Sequence, residues 1–163
     1  PHLVVSGGTG RLCDIVDFSR RLGGMCEAHG LNGQWFETGG QDGVDPDALH
    51  AALSSEEGKQ IEGVLLAHTE TSTGVTTDLE AVRAVLDDLG HEALLVVDSI
   101  ASFGCTPLRV DEMQLDACLA VSQKGLMMPV GLAFTRIRAR AVSAAFHQSR
   151  QRFQWVWTPP IQD

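Results

Sequence analysis

One lysine, Lys124, stands between two apolar segments and is followed closely by glycine and proline. Both segments, residues 117–121 and 131–137, are predicted to be buried strands. The loop between them would hold the lysine at the strand ends, where open α/β sheets bind ligands. Partial removal from water would favour the neutral amine, which is the nucleophile that forms a Schiff base with an aldehyde. The alternative is a surface lysine on a solvated turn.

Three further features could share a site with this lysine. Asp98 ends an aliphatic run at residues 93–97, and a carboxylate there must be paired or hydrogen-bonded, either for function or as a helix N-cap. A turn rich in hydroxyl groups, residues 68–74, follows the apolar strand predicted at 63–67. Glycines in residues 6–10 indicate either a phosphate-binding turn or a plain tight turn, because they match neither the P-loop nor the dinucleotide fingerprint.

Strands alternate with helices along the chain. In the first part of the chain we predict a strand at 3–5, a helix from Leu12 to the glycines at 23–24, and a loop at 30–43 around one strand. Two capped helices follow: one has Asp45 as N-cap and Pro46 in its first turn, and the other runs from a capping box at Thr77 and Glu80 to a stop at Gly90. A turn at 111–115 and a helix at 139–153 complete the prediction. This alternation predicts an α/β protein with a three-layer, mostly parallel, doubly wound sheet.

In such a sheet the turn at residues 6–10, the turn at 68–74, Asp98 and Lys124 would converge on one edge, because ligand sites form at the carboxyl ends of the strands. Lysine can form a Schiff base, aspartate can pair with a pyridinium nitrogen, hydroxyls can contact a phenolate, and a glycine-rich turn can lie near a phosphate. These are the groups that pyridoxal phosphate requires. The convergence therefore predicts a pyridoxal phosphate site.

Composition excludes several other classes of protein. The 163 residues are 44% hydrophobic, which suits one folded unit, and the net charge of -9 argues against nucleic acid or an anionic membrane as partner. Apolar runs are too short to cross a bilayer, and the first residues lack the pattern of a signal peptide. The lack of these two features predicts a cytoplasmic protein, or one whose targeting segment is absent from this chain. Four scattered cysteines and six scattered histidines show no metal-binding spacing, so we expect no metal.

Three motifs carry a resemblance to a known family. They are His-Thr-Glu-Thr-Ser-Thr-Gly-Val at 68–75, Val-Asp-Ser-Ile-Ala-Ser-Phe-Gly at 97–104 and Ser-Gln-Lys-Gly-Leu-Met-Met-Pro at 122–129. In this order and spacing they resemble the class V aminotransferases of fold type I, in the branch of serine–glyoxylate and alanine–glyoxylate aminotransferases. The resemblance implies a homodimer that uses pyridoxal phosphate to transfer an amino group from a small amino acid, such as serine or alanine, to glyoxylate or pyruvate.

The resemblance also implies a domain assignment and a role for each candidate residue. Residues 1–163 would be part of the large, cofactor-binding domain, truncated at both ends, with the N-terminal arm and the C-terminal small domain outside this chain. Lys124 would form the Schiff base and move the proton between the substrate Cα and the cofactor C4′, and Asp98 would keep the pyridinium nitrogen protonated. The other cofactor contacts would come from Thr71 at the phenolic oxygen, from Gln123 near the phosphate, and from Thr158 at the phosphate of the neighbouring subunit's cofactor. The glycine-rich turn itself predicts Gly7, Gly8 and Thr9 as further cofactor contacts.

Departures from the family pattern keep other functions open. Thr9 stands where relatives commonly carry a ring-stacking aromatic residue, and Trp155 stands where they carry tyrosine. No arginine of the chain matches the family's substrate-carboxylate arginine. Gln123 precedes the lysine where cysteine desulfurases carry histidine, which favours transamination. The alternatives are another pyridoxal phosphate reaction, by a lyase or an epimerase, and a truncated relative that acts as a non-catalytic dimerising or binding module.

Overall fold

The computed structural model describes residues 9–14, 28, 32–37 and 42–146. Within these residues, six strands form one sheet in the order β2-β1-β3-β4-β5-β6. The strands are β1 (Thr9–Asp14), β2 (Asn32–Glu37), β3 (Ile61–Ala67), β4 (Leu94–Asp98), β5 (Ala117–Val121) and β6 (Ala133–Ile137). The helices described in full are α1 (Pro46–Ser54), α2 (Leu79–Asp88) and α3 (Ala139–Phe146), and a 3₁₀ turn at Gly58–Gln60 leads into β3.

Parallel pairing runs through β2, β1, β3, β4 and β5. Consecutive residues of the central strands enter different apolar clusters: Val64 and Leu66 pack with the apolar residues of α1 and α2, whereas Leu65 packs with Ala141 of α3. Helices therefore cover both faces of the sheet, and strands buried on both faces appear in the sequence as continuous aliphatic runs. The predicted three-layer, mostly parallel, doubly wound sheet is confirmed.

Strand β6 differs from the prediction in its exposure. It pairs antiparallel with β5, with Phe134 opposite Ala120, and forms the edge of the sheet. Its first three residues, Ala133, Phe134 and Thr135, are exposed. The predicted strand is present, but the prediction that it is buried is wrong for the described residues. An apolar sequence indicates that a strand tends to be buried, but it does not identify the residues that would bury it.

Strand β1 corrects the prediction for the start of the chain. Residues 9–14 were expected to leave a glycine-rich turn and enter a helix, but they form a strand between β2 and β3, with Thr9 opposite both Asn32 and Ile61. Two neighbouring strands pair with this backbone, and that long-range pairing outweighs a local preference for helix. The strand predicted at 3–5, together with Gly7 and Gly8, lies outside the described residues.

Helix ends follow the predicted capping chemistry with one exception. Asp45 caps α1 by accepting the Asp47 N–H at 3.0 Å, and Pro46 is in the first turn, as predicted.

The prediction of a capping box at Thr77 is wrong, because Asp78 caps α2 by accepting the Ala81 N–H at 3.0 Å. The hydroxyl of Thr77 is instead buried and accepts the Val44 N–H at 3.5 Å. The predicted stop at Gly90 is confirmed, since its φ of +55° suits glycine.

An ion pair fixes the amino end of β5 to helix α3. Asp116 is fully buried, and its carboxylate accepts from Arg140 Nη2 at 2.6 Å, from Arg140 Nε at 3.1 Å and from the Leu95 N–H at 2.8 Å. Replacing Asp116 with alanine would leave a partly buried guanidinium and a buried N–H without their acceptor. We expect Asp116→Ala to lower the free energy of unfolding by about 3 kcal/mol, measured by urea denaturation.

The matched control is Glu112→Ala, which removes a carboxylate from an exposed pair with Arg109 at 3.2 Å. Exposed pairs contribute about 0–1 kcal/mol, so this control should change the free energy of unfolding by less than about 1 kcal/mol. Equal effects of the two substitutions would contradict a structural role for the buried pair.

Candidate active site

Strands β3, β4 and β5 end together at one edge of the sheet. Ala67 lies opposite Asp98, and Asp98 lies opposite Leu119. Two hydrogen bonds continue this alignment beyond the strands, from the His68 N–H to the Asp98 carbonyl at 2.8 Å and from the Ser99 N–H to the Leu119 carbonyl at 3.0 Å. The loops that follow the three strands carry the turn at 68–74, the start of the 98–106 segment and Lys124, so the predicted convergence of these three features is present.

Asp98 is half-buried at the end of β4. Burial raises the pKa of its carboxyl group, and the nearby charge of Glu70 raises it further, while a hydrogen bond from the Ile100 N–H at 2.8 Å acts in the opposite direction. That hydrogen bond reaches Oδ1; among the described residues, Oδ2 accepts none. Asp98 can therefore hold the backbone through Oδ1 and contact a ligand through Oδ2. A cation placed at this edge would stabilise the ionised carboxylate.

Glu70 lies in the motif at 68–75, and its residue type alone predicted no role for it. Its side chain is fully buried, and its Oε1 accepts from the Ser72 N–H and the Ser72 hydroxyl, both at 3.0 Å. Its backbone closes the same turn, since the Glu70 N–H donates to the Val75 carbonyl at 2.9 Å and the Gly74 N–H donates to the Glu70 carbonyl at 2.8 Å. Glu70 thus shapes the exposed turn on which Thr71 lies. The sequence signal that could have identified this role of Glu70 is a carboxylate within a turn of hydroxyl-bearing residues.

A buried polar layer joins these loops beneath the edge. His68 Nδ1 lies 2.8 Å from the Ser102 hydroxyl, and burial lowers the pKa of His68, which favours the neutral ring. The Ser99 hydroxyl donates to the Leu119 carbonyl at 2.6 Å and lies 3.1 Å from Cys118 Sγ. These contacts give Ser99 and Ser102 structural roles. They tie the loops after β3 and β4 to each other and to β5.

Lys124 and Gln123 lie in the exposed part of the loop between β5 and β6. The expected partial desolvation of Lys124 is wrong for the described residues, because Lys124 is exposed and Met127 and Met128 after it are exposed as well. The chain has one other lysine, Lys59, which pairs with Glu56 at 2.6 Å just before β3 begins. In a parallel sheet, residues just before a strand lie on the side opposite to residues just after a strand. Lys124 is therefore the lysine on the same side of the sheet as Asp98.

Thr9 is not at this edge. It is the first residue of β1 and lies opposite Ile61, the first residue of β3, so it sits at the amino ends of the strands. Asp98 ends β4 and Lys124 follows β5, so Thr9 lies at the opposite ends of the strands from both, and its contact with the cofactor stays a prediction. Strand direction alone separates them, since a strand of this length advances about 3.3 Å per residue. Gly7, Gly8, Trp155 and Thr158 lie outside the described residues.

The remaining groups fit pyridoxal phosphate. Lys124 offers an accessible amine, Asp98 offers a half-buried carboxylate with Oδ2 free of described donors, and Thr71 offers a hydroxyl on an exposed turn. An amine, an anion and a hydroxyl can meet the aldehyde, the ring nitrogen and the phenolic oxygen of this cofactor, respectively. Among the described residues, Gln123 is the predicted phosphate contact that lies on this side of the sheet.

Other kinds of site find no support within the described residues. No group of three or more histidine, cysteine, aspartate or glutamate side chains there could hold a metal ion. In the same ranges no helix has the length and apolar character needed to cross a membrane. Both described cysteines, Cys105 and Cys118, are free thiols.

Comparison with known proteins gives a consistent result. Residues 23–149 match the family model of class V aminotransferases. The chain is 42% identical over 127 residues to the L-aspartate–glyoxylate aminotransferase of Paracoccus denitrificans, covering 78% of this chain and 32% of that protein. It is 42% identical over 107 residues to the serine–glyoxylate aminotransferase of Methylorubrum extorquens, covering 66% of this chain and 27% of that protein.

A solved structure shows the same likeness in three dimensions. The alanine–glyoxylate aminotransferase of a Nostoc species superposes with a TM-score of 0.85 at 25% identity, covering 94% of this chain and 40% of that one. The chain spans about a third of the length of the curated relatives it matches.

Proposed function

Because the chain belongs to the class V aminotransferase family, we propose that it is the cofactor-binding part of an aminotransferase that uses pyridoxal phosphate. The observation that carries this proposal is the position of Lys124, Asp98 and the Thr71 turn after three adjacent parallel strands. The matched relatives act on serine, alanine or aspartate with glyoxylate, by their names. Their greater length supports our proposal that the chain is part of a large domain whose arm and small domain lie elsewhere in a longer protein.

In this proposal each side chain has a defined task. Lys124 Nζ would hold the cofactor through its aldehyde carbon and would move the proton between the substrate Cα and the cofactor C4′. Asp98 Oδ2 would pair with the ring nitrogen and would keep that nitrogen protonated. The cofactor, when bound, supplies the electron sink that makes the Cα proton removable. Thr71 would orient the ring through its phenolic oxygen, and Gln123 would contact the phosphate region.

A homodimer is part of the same proposal. Met127, Val130 and Leu132, on the loop after Lys124, are 91%, 76% and 56% exposed. An exposed apolar run next to a candidate site is typically buried against another surface, and Thr158 would reach the partner's cofactor according to the resemblance.

The net charge of -9 does not select among small substrates, but it disfavours nucleic acid and anionic membrane as partners. The two cysteines for which the structure describes the side chain, Cys105 and Cys118, are free thiols, which fits the proposed cytoplasmic location.

The function is tested by supplying cofactor and substrates to the purified protein. We expect pyridoxal phosphate to give a yellow adduct that borohydride traps on a lysine, and we expect serine, alanine or aspartate with glyoxylate to yield glycine. Mass spectrometry of the reduced protein and chromatography of the amino acids measure the two results. Elimination or racemisation products without glycine would indicate a different reaction on the same scaffold. Absence of any trapped adduct would contradict a cofactor site and favour a binding role.

A further inference from the structure

The residue after Lys124 is in unusually close contact with the loop that follows Asp98. A Cβ atom built on Gly125 would lie 2.2 Å from the Phe103 carbonyl oxygen, 2.7 Å from Cys105 Sγ and 3.0 Å from the Gly104 carbonyl carbon. Contacts below 3.0 Å essentially do not occur for real Cβ atoms, and the shortest of these contacts is to backbone. The two loops therefore approach each other at a distance that only glycine permits at position 125.

The contact is reciprocal. Gly104 has a φ of +81°, and a Cβ built on it would lie 3.0 Å from the Gly125 carbonyl carbon and 3.2 Å from its oxygen. The turn that carries Gly104 is held near Asp98, because the Ser102 and Phe103 N–H groups both donate to the Ser99 carbonyl, at 3.1 and 2.7 Å. Gly104 thus belongs to a short, hydrogen-bonded segment that begins next to Asp98.

The loop of Lys124 is also held as a unit. The buried Ser122 donates its hydroxyl to the Pro129 carbonyl at 2.6 Å, while its backbone bonds with Leu132 and Met128 at 3.0 Å each. Within the loop the Met127 N–H donates to the Lys124 carbonyl at 2.8 Å. A loop closed in this way moves as one piece, so displacement of Gly125 would carry Lys124 with it.

We propose that Gly125 is a positioning residue for Lys124: its contact with Gly104 sets the place of the lysine relative to Asp98. Gly125 has no side chain and would not touch the cofactor. The catalytic meaning of this inference rests on the proposed function, whereas the placement of Lys124 against the 103–105 turn does not. Near-attack geometry is sensitive to displacements of about 1 Å, for which losses of about a hundredfold are typical.

Three alanine variants separate the contact from general loss of stability. Gly104→Ala and Gly90→Ala both force alanine into a left-handed conformation, at φ +81° and +55°, but only the first meets the lysine loop, since nothing lies within 4 Å of a Cβ at Gly90. Gly125→Ala introduces the larger displacement without a positive φ. The melting temperature of each variant is measured first, so that the two positive-φ variants are compared at similar stability.

The first measurement needs no cofactor. Cys105 and Lys124 are both exposed, and Cys105 Sγ lies against Gly125, so a short reagent that joins a thiol to an amine should cross-link Cys105 to Lys124 in the unmodified protein. The second measurement is the rate at which pyridoxal phosphate forms its borohydride-trapped adduct on Lys124. We expect Gly125→Ala to slow adduct formation about a hundredfold and Gly104→Ala about tenfold, with weaker cross-linking in both, and Gly90→Ala to change neither.

Each outcome has a defined meaning. Wild-type cross-linking and adduct formation in Gly104→Ala and Gly125→Ala would overturn the positioning role, as would equal losses in Gly90→Ala. If Gly125→Ala fails to fold, Gly104→Ala against Gly90→Ala decides alone. If the unmodified protein forms no adduct, the proposed function fails, but the cross-linking yields still test whether the contact places Lys124.

Discussion

Replacement of Lys124 by alanine will leave no borohydride-trapped cofactor on the protein and will lower the rate of transamination by about 10⁴–10⁶-fold, as expected when a covalent nucleophile is removed. The physical reason is that one amine both binds the cofactor and carries the proton between two carbon atoms. No described side chain at that edge of the sheet offers another primary amine, since the second lysine of the chain precedes β3. The measurements are mass spectrometry of the reduced protein and the rate of glycine formation from glyoxylate.

Lys59 provides the matched control. Its side chain is 60% exposed and pairs with Glu56, so Lys59→Ala removes a lysine without disturbing the core. We expect this control to keep the trapped adduct and at least half of the rate. Exposed ion pairs contribute about 0–1 kcal/mol, so the control should also retain its stability. A Lys124→Ala protein that still traps the cofactor, or a loss of the adduct in Lys59→Ala, would refute the assignment of the nucleophile.

Replacement of Asp98 by asparagine will have opposite effects on activity and on stability. Activity should fall by about 10²–10³-fold, the loss typical of removing one preorganised electrostatic contact to a reacting group. An amide cannot hold the ring nitrogen in its protonated form, so the electron sink is weakened while the cofactor is still bound. The trapped adduct on Lys124 should therefore persist, which distinguishes this variant from Lys124→Ala.

The stability effect follows from the direction of the pKa shift. Burial raises the pKa of Asp98 above its ordinary value of 3.8, so the folded protein without cofactor binds this proton more tightly than the unfolded chain does. The free energy of unfolding then decreases as the pH rises from the ordinary value through the raised one, and stays lower at neutral pH. Asparagine does not ionise, and its oxygen can still accept the Ile100 N–H.

We therefore expect the cofactor-free Asp98→Asn protein to be more stable than the unmodified protein at neutral pH, with the difference vanishing below the ordinary pKa. Urea denaturation across this pH range measures it. Asp78→Asn is a suitable control, because Asp78 is an exposed helix cap whose hydrogen bond asparagine can also accept. A destabilised Asp98→Asn protein at neutral pH would show that the carboxylate is satisfied by the fold itself.

Much of the fold was predictable from local pattern. The strands ending at Asp98 and Val121, the Asp45 cap and the Gly90 stop all depend on residues within one element or its immediate flank. An aliphatic run, a capping carboxylate and a left-handed glycine have the same preference in most surroundings. The family resemblance likewise depends on short motifs, so residue types alone supported the cofactor class and the roles of Lys124 and Asp98.

Other features depend on partners far away in the chain. Thr9 pairs with Ile61, and this pairing places it at the edge opposite to Asp98. Phe134 is exposed although its strand is apolar, because no described element covers that side of β6. In the capping box, Thr77 is displaced from its expected role by a contact with Val44. Strand partners, direction and burial are set by packing between distant segments, which local propensity does not report.

In the candidate site, too, some features follow from the sequence and others only from the tertiary structure. By itself the sequence determined which groups are present: an amine, a carboxylate and a hydroxyl-rich turn, each directly after an apolar strand. Only the tertiary structure decided that β3, β4 and β5 are adjacent in the sheet, that Glu70 is buried beneath the turn of Thr71, and that Gly125 touches Gly104. Residue types determine what chemistry is possible, whereas distances between loops arise only when the sheet brings together strands that are far apart in the chain.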